Sequence, residues 1–138
     1  MNPIIKNVLG FVLGAFGAVM LNGLIIRIGG SIIPPPPGTN LSTPEGIKAA
    51  MPLLEARHFL FPFIAHALGS LAGAFIGSML SASYRLIIAL VIGGLHMVGG
   101  VMMVMMVPAP TWFNILDLGM AYLPMAWLGW KIAESIRK

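Results

Sequence analysis

An all-α integral membrane protein with four transmembrane helices in a bundle is the fold class this chain predicts. Three observations carry it. Of 138 residues, 58% are hydrophobic and 9% charged, well below the roughly 25% charged residues of a soluble domain; mean hydropathy is +0.94. Four apolar stretches, residues 8–28, 59–80, 86–107 and 112–131, are each long enough to cross about 30 Å of hydrocarbon at 1.5 Å per residue. None alternates with period two, which argues against a β-barrel. Residues 1–138 are expected to form a single transmembrane domain.

The first stretch follows Lys6 and resembles a signal peptide in position only. Its apolar run exceeds the about 7–15 residues of such a segment and no small-x-small cleavage site follows, so it reads as a retained helix. Residues 29–58 form a Pro-rich exterior segment. It opens with Gly29-Gly30 and continues into Pro34-Pro35-Pro36-Pro37-Gly38, a stiff polyproline II run. At Thr43-Pro44-Glu45 an N-cap, a proline at the first helical position and an acid at the positive end of the dipole restart a helix. Residues 45–57 are therefore expected as a short interfacial helix that runs into the second membrane helix, with Pro52 and Pro62 as bends. Residues 81–85 and 107–111 are tight turns, which makes their flanking helices antiparallel neighbours. Within the fourth stretch Pro124 frees the carbonyl of Met120 and kinks the helix.

Charge and composition exclude several function classes. Eight Lys or Arg against four Asp or Glu reflect scarce acids rather than a clustered basic face, so no nucleic-acid partner is expected. No cysteine is present, which removes disulfide scaffolds, thiol enzymes and Cys-ligated metal centres. No P-loop, dinucleotide fingerprint or G-x-S-x-G nucleophile motif occurs. No cofactor is strongly implied. Lys6, Arg85, Lys131, Arg137 and Lys138 fall on one side of the predicted membrane and Arg27, Lys48 and Arg57 on the other. That imbalance places both termini in the cytoplasm, with a bacterial inner membrane as the expected location.

Helices in lipid associate through small residues that let backbones approach. Gly69, Gly73 and Gly77 recur every four residues on the second helix; Gly10, Gly14 and Gly17 mark the first, and Ala89, Gly93 and Gly100 the third. These are the expected packing faces. The eleven methionines, including Met102-Met103 and Met105-Met106, read as lipid-facing or gap-filling side chains, because adjacent pairs point in different directions.

Polar groups at membrane depth are expensive and draw attention for that reason. The apolar stretches hold Asn22, His66, His96 and Asp117. His66 shares the glycine face of its helix and His96 the stripe of Gly93 and Gly100, so both are turned inward. Asn22, His66 and Asp117 lie at similar depth from the exterior end, with His96 deeper. Glu55 and His58 stand above them at the expected mouth. Together these six describe an outward-facing polar pocket and a substrate or ion pathway. Glu55-Ala-Arg-His58 has the Glu-x-x-His spacing of di-iron bundles; Glu55, His58, His66 and Asp117 are accordingly weak candidates for a metal.

Three functions fit these observations. The first is a homo-oligomeric channel or transporter-like protein that handles protons, a cation or a small polar solute through the His/Asp pocket. The second is a non-catalytic subunit or assembly factor of a larger membrane complex, with glycine faces for its partners. The third is a membrane-embedded enzyme acting on a lipid or quinone, for which too few acid–base groups are available to name a reaction.

Overall fold

The computed structural model describes residues 1–137. Lys138, counted above among the charges of one side, lies outside the described residues. Every regular element of the described chain is helical, without a strand: α1 (Pro3–Ile32), α2 (Pro44–Ala50), α3 (Leu60–Leu80), α4 (Arg85–Met106), α5 (Thr111–Met120) and α6 (Leu123–Ile136), with two short 3₁₀ turns, Met51–Leu53 and Ala56–Phe59. Three helices are long and apolar enough to cross a membrane: Pro3–Ile32, Arg85–Met106, and α3 taken with its leading 3₁₀ turn as Ala56–Leu80.

The helix bounds depart from expectation where local chemistry outweighs hydropathy. Asn2 caps α1, its Oδ1 accepting from the Ile4 N–H at 2.8 Å, and Pro3 takes the first helical position, where it needs no donor. At the other end Gly29 and Gly30 do not open the loop; the helix continues through them to Ile32. Gly29 is buried against Phe61, whose Cδ1 would stand 2.7 Å from an added Cβ, so tertiary packing holds this last turn in place. The Pro-rich segment thus begins at residue 33. A turn closes the proline run: Thr39 N–H donates to Pro36 O at 3.2 Å, with Pro37 second and Gly38 third at φ +81°, the residue pattern of a type II turn.

Thr43 caps α2 by accepting from Gly46 N–H at 3.1 Å. The expected interfacial helix over 45–57 is not continuous. It ends at Ala50, passes through one 3₁₀ turn and breaks at Leu54 and Glu55, both extended. Glu55 and His58 then form a reciprocal capping box for the turn that leads into α3. Pro62 sits in the first turn of α3, where its missing N–H costs nothing; it is not a mid-helix kink. Pro124 does more than kink. The fourth apolar stretch is two helices, broken at Ala121 and Tyr122, with Pro124 in the first turn of α6.

Helix α3 is the hub, packed against α1, α4, α5 and α6. Its glycines explain how. A Cβ at Gly73 would lie 2.7 Å from Gly14 O and 2.6 Å from the Ala18 Cβ, and one at Gly14 would lie 2.6 Å from Gly73 O. Backbone therefore meets backbone between α1 and α3. Gly93 admits α6 through Ala126, and Gly100 admits the Tyr122 ring. A further glycine, Gly129 on α6, abuts the Leu71 carbonyl of α3. The opposite faces of α1 and α4 carry exposed Val12, Phe16, Val19, Ile87, Leu95 and Met105, as lipid-facing surfaces should.

The end of the molecule away from the Pro-rich segment is tied by polar contacts. Asn7 Oδ1 accepts from Ala82 and Ser83 N–H at 2.9 and 3.1 Å while its amide donates to Ser83 Oγ. Arg85 pairs with Glu134 at 2.9 Å, and Arg137 donates to the Met79 carbonyl.

Candidate functional site

The site is assembled from four helices, and each contribution has a local cause. Helix α3 carries His66 and, one turn further, Ser70 on the face that Gly69 and Gly73 open to neighbours. Helix α4 supplies His96 between Gly93 and Gly100. Helix α5 brings Asp117, and the break after Met120 turns Tyr122 back toward it. On an unbroken helix Asp117 and Tyr122 would point about 140° apart; the interruption lets Tyr122 Oη donate to Asp117 Oδ2 at 3.0 Å.

Asp117 also meets His66. The Nδ1 of His66 lies 2.8 Å from Oδ1 and 3.0 Å from Oδ2. With Nδ1 donating to the carboxyl group, the tautomer of the neutral ring is set and Nε2 is left as an acceptor. Among the described residues Nε2 makes no hydrogen bond. The Asp117 side chain is 5% exposed and that of His66 18%, so the acid is sealed behind the imidazole. Tyr122 is fully buried and stacks on His66, with ring centroids 5.4 Å apart. His96 stands 5.4 Å from Tyr122 and 6.0 Å from His66, both edge-on, and its Nδ1 lies 2.9 Å from Ser70 Oγ.

Next to this cluster is a cavity of about 390 Å³, within the range of small-molecule sites. His66, Asp117, Asn22 and Asn114 reach its lining from the helices, and His58 reaches it from the 3₁₀ turn that leads into α3. Aliphatic and aromatic side chains make up most of the rest: Ile26 of α1, Met103 and Val104 of α4, Phe113 of α5, and Leu41, Ile47, Met51 and Leu54 of the Pro-rich segment. The Pro-rich segment is thus a wall of the cavity rather than a free arm. Phe59 anchors the rim through Phe113 and Trp112, at centroid distances of 4.9 and 5.8 Å. Beyond His96 the interior closes on buried Ser70, Gly73, Ala74 and Gly77.

The six pathway residues read from the sequence divide accordingly. His66 and Asp117 are in contact. His96 joins them through Tyr122. Asn22 lines the same cavity beside Gly69, and its Oδ1 is buried without a hydrogen-bond partner, an arrangement that costs about 1–3 kcal/mol. His58 lines the cavity, but its Nδ1 is taken by the Glu55 N–H at 2.9 Å. Glu55 is exposed and pairs with Arg57 at 3.1 Å; it is not part of the lining. Glu55 and His58 therefore do not join His66 and Asp117 as one ligand set, and among the described residues no three His, Cys, Asp or Glu side chains converge on a metal position.

Two members escaped the sequence reading. Tyr122 lies off the face of Asp117 at helical spacing, and only the break signalled by Pro124 pointed to its return. Ser70 read as a small packing residue, although it stands one turn beyond His66 on the same face. Comparison with protein-family models, curated proteins and solved structures finds no match, so the function must be argued from this geometry.

Proposed function

We propose that this protein is a multi-pass membrane protein that binds a small amphipathic molecule, tail along the aliphatic wall and polar end at His66 and Asp117. The observation that carries the reading is the distribution of chemistry around one cavity: aliphatic and aromatic walls from five parts of the chain, with a hydrogen-bonded His–Asp–Tyr group at one place. A water-filled ion path wants a polar lining along its length; a lipid-like guest wants apolar walls with few polar anchors. In this reading α5 and α6 together make a fourth, broken crossing and complete a bundle. Such broken crossings are tolerated where protein lines a cavity. Both termini lie in the cytoplasm of a bacterial inner membrane, supported by Lys6, Arg85, Lys131 and Arg137 at one end against Arg27, Lys48 and Arg57 at the other.

The test uses N-phenyl-1-naphthylamine, a dye that brightens in apolar sites, with the full chain in lipid nanodiscs. Saturable binding above that of protein-free nanodiscs is expected, and Val104→Phe, which fills the cavity, should abolish it. Equal binding by the variant would sink the reading.

A second reading is proton-coupled transport by a homo-oligomer, favoured by the group of His66, Tyr122 and His96 with neighbouring ring centroids within 6.0 Å. Proton flux into proteoliposomes that disappears in His66→Ala at matched reconstitution would favour it. Background flux in both would leave the binding reading alone.

A further inference from the structure

Resting on the binding reading above, we infer that the polar end of the guest is a single uncharged hydroxyl, held between His66 and the Asn22 side-chain amide. The lining itself sets the charge. No Lys, Arg or Glu is among the residues that line the cavity, and Asp117 is its one acid. An anionic head, whether carboxylate or phosphate, would enter apolar walls with no cation to meet it and with a carboxyl group behind the imidazole. A cationic head fares little better. Both Asp117 oxygens are already engaged, Oδ1 by His66 and Oδ2 by His66 and Tyr122. An ammonium group would carry a full charge and three donors into apolar walls where both Asp117 oxygens are already engaged.

Of the polar groups still open in the lining, those of His66 and Asn22 bear on the head group. His66 Nε2 makes no hydrogen bond among the described residues, and Nδ1 is fixed on Asp117. The Asn22 amide likewise makes none, and its Oδ1 is buried and unpartnered. They are close to each other: Gly69 follows His66 by three residues on the same face of α3, and its missing Cβ would lie 3.3 Å from the Asn22 Cβ. A hydroxyl both donates and accepts. It can donate to neutral Nε2 while accepting from the Asn22 NH₂. A carbonyl meets only the accepting half of this arrangement and a hydrocarbon meets neither half. The guest is therefore an alkyl alcohol or alkyl phenol in chemical class.

The experiment displaces N-phenyl-1-naphthylamine from the full chain in nanodiscs with four probes of similar tail: 4-octylphenol, octanoate, octylamine and octylbenzene. Displacement from the Val104→Phe protein serves as the membrane-partition background. 4-Octylphenol should act at a concentration at least tenfold lower than the other three, and Asn22→Leu should erase most of that preference when each protein is compared at its own dye affinity. His66→Phe should do the same. Equal or better displacement by octanoate, octylamine or octylbenzene overturns the hydroxyl assignment and leaves the cavity reading standing. A preference that survives both substitutions also overturns it. Failure of the dye to bind the unmodified chain removes the cavity reading, and the hydroxyl with it.

Discussion

Both oxygens of Asp117 are engaged, by His66 Nδ1 and by Tyr122 Oη, and this makes the cost of changing it larger than that of changing either donor. Tyr122→Phe deletes one donor and leaves the acid with His66, for an expected loss of about 0.5–1.5 kcal/mol. Asp117→Leu strands two buried donors and should cost about 2 kcal/mol or more. Because the leucine already removes the interaction that the phenylalanine would remove, the double variant should be little less stable than Asp117→Leu alone. Reversible unfolding in mixed micelles measures all three, and strict additivity would show that the two side chains are not coupled. At this scale the sequence was a partial guide. His66, His96 and Asp117 were legible because ionisable groups are rare in apolar stretches, and the two histidines also lay on glycine-marked stripes. Tyr122 was not, since its approach to Asp117 depends on a backbone break that periodicity cannot express, and Glu55 was misplaced because an unbroken helix from that residue was assumed.

Gly73 and Gly94 sit at comparable depth on α3 and α4 yet do opposite things, which separates glycines that build the fold from those that merely occur in it. An added methyl at Gly73 meets Gly14 O at 2.7 Å and the Ala18 Cβ at 2.6 Å, and backbone cannot step aside as a side-chain end can. At Gly94 nothing stands within 4 Å. Gly73→Ala should therefore destabilise by about 1–3 kcal/mol through overpacking, while Gly94→Ala should stabilise by about 0.5–1 kcal/mol through the helix preference for alanine. The same unfolding titration reads both; a neutral Gly73→Ala would mean that α1 and α3 are held by something other than close backbone approach. The three long apolar helices and the glycine stripe of α3 were visible as period and composition. The ends were less so: Gly29 and Gly30 read as a loop, because a sequence does not reveal that Phe61 packs against the last turn.

On the scale of the whole molecule, the arrangement of crossings decides which side the cavity faces and whether α5 with α6 spans at all. The chain has no cysteine, so single introduced cysteines report without background. Ser42 and Pro108 are exposed at the Pro-rich end, and Tyr84 and Ser135 are exposed at the end tied by Asn7 and the Arg85–Glu134 pair. Tyr84 is 71% exposed and stands at φ 54°, where a non-glycine residue is already strained, so its replacement disturbs no packed neighbour. If the broken pair is a fourth crossing, a membrane-impermeant maleimide added outside intact cells should label Ser42→Cys and Pro108→Cys. It should reach Tyr84→Cys and Ser135→Cys only after the cells are opened. Labelling of Ser135→Cys together with Pro108→Cys from outside would place both ends of the α5–α6 pair on one side and end the four-crossing reading. The inverse pattern, with Ser42 protected and Tyr84 reached, would keep four crossings but turn the cavity toward the cytoplasm. The guest would then be drawn from the inner leaflet. Because Leu41, Ile47, Met51 and Leu54 wall the cavity on that same end, the side on which residue 42 is labelled is also the side of the membrane nearer the cavity.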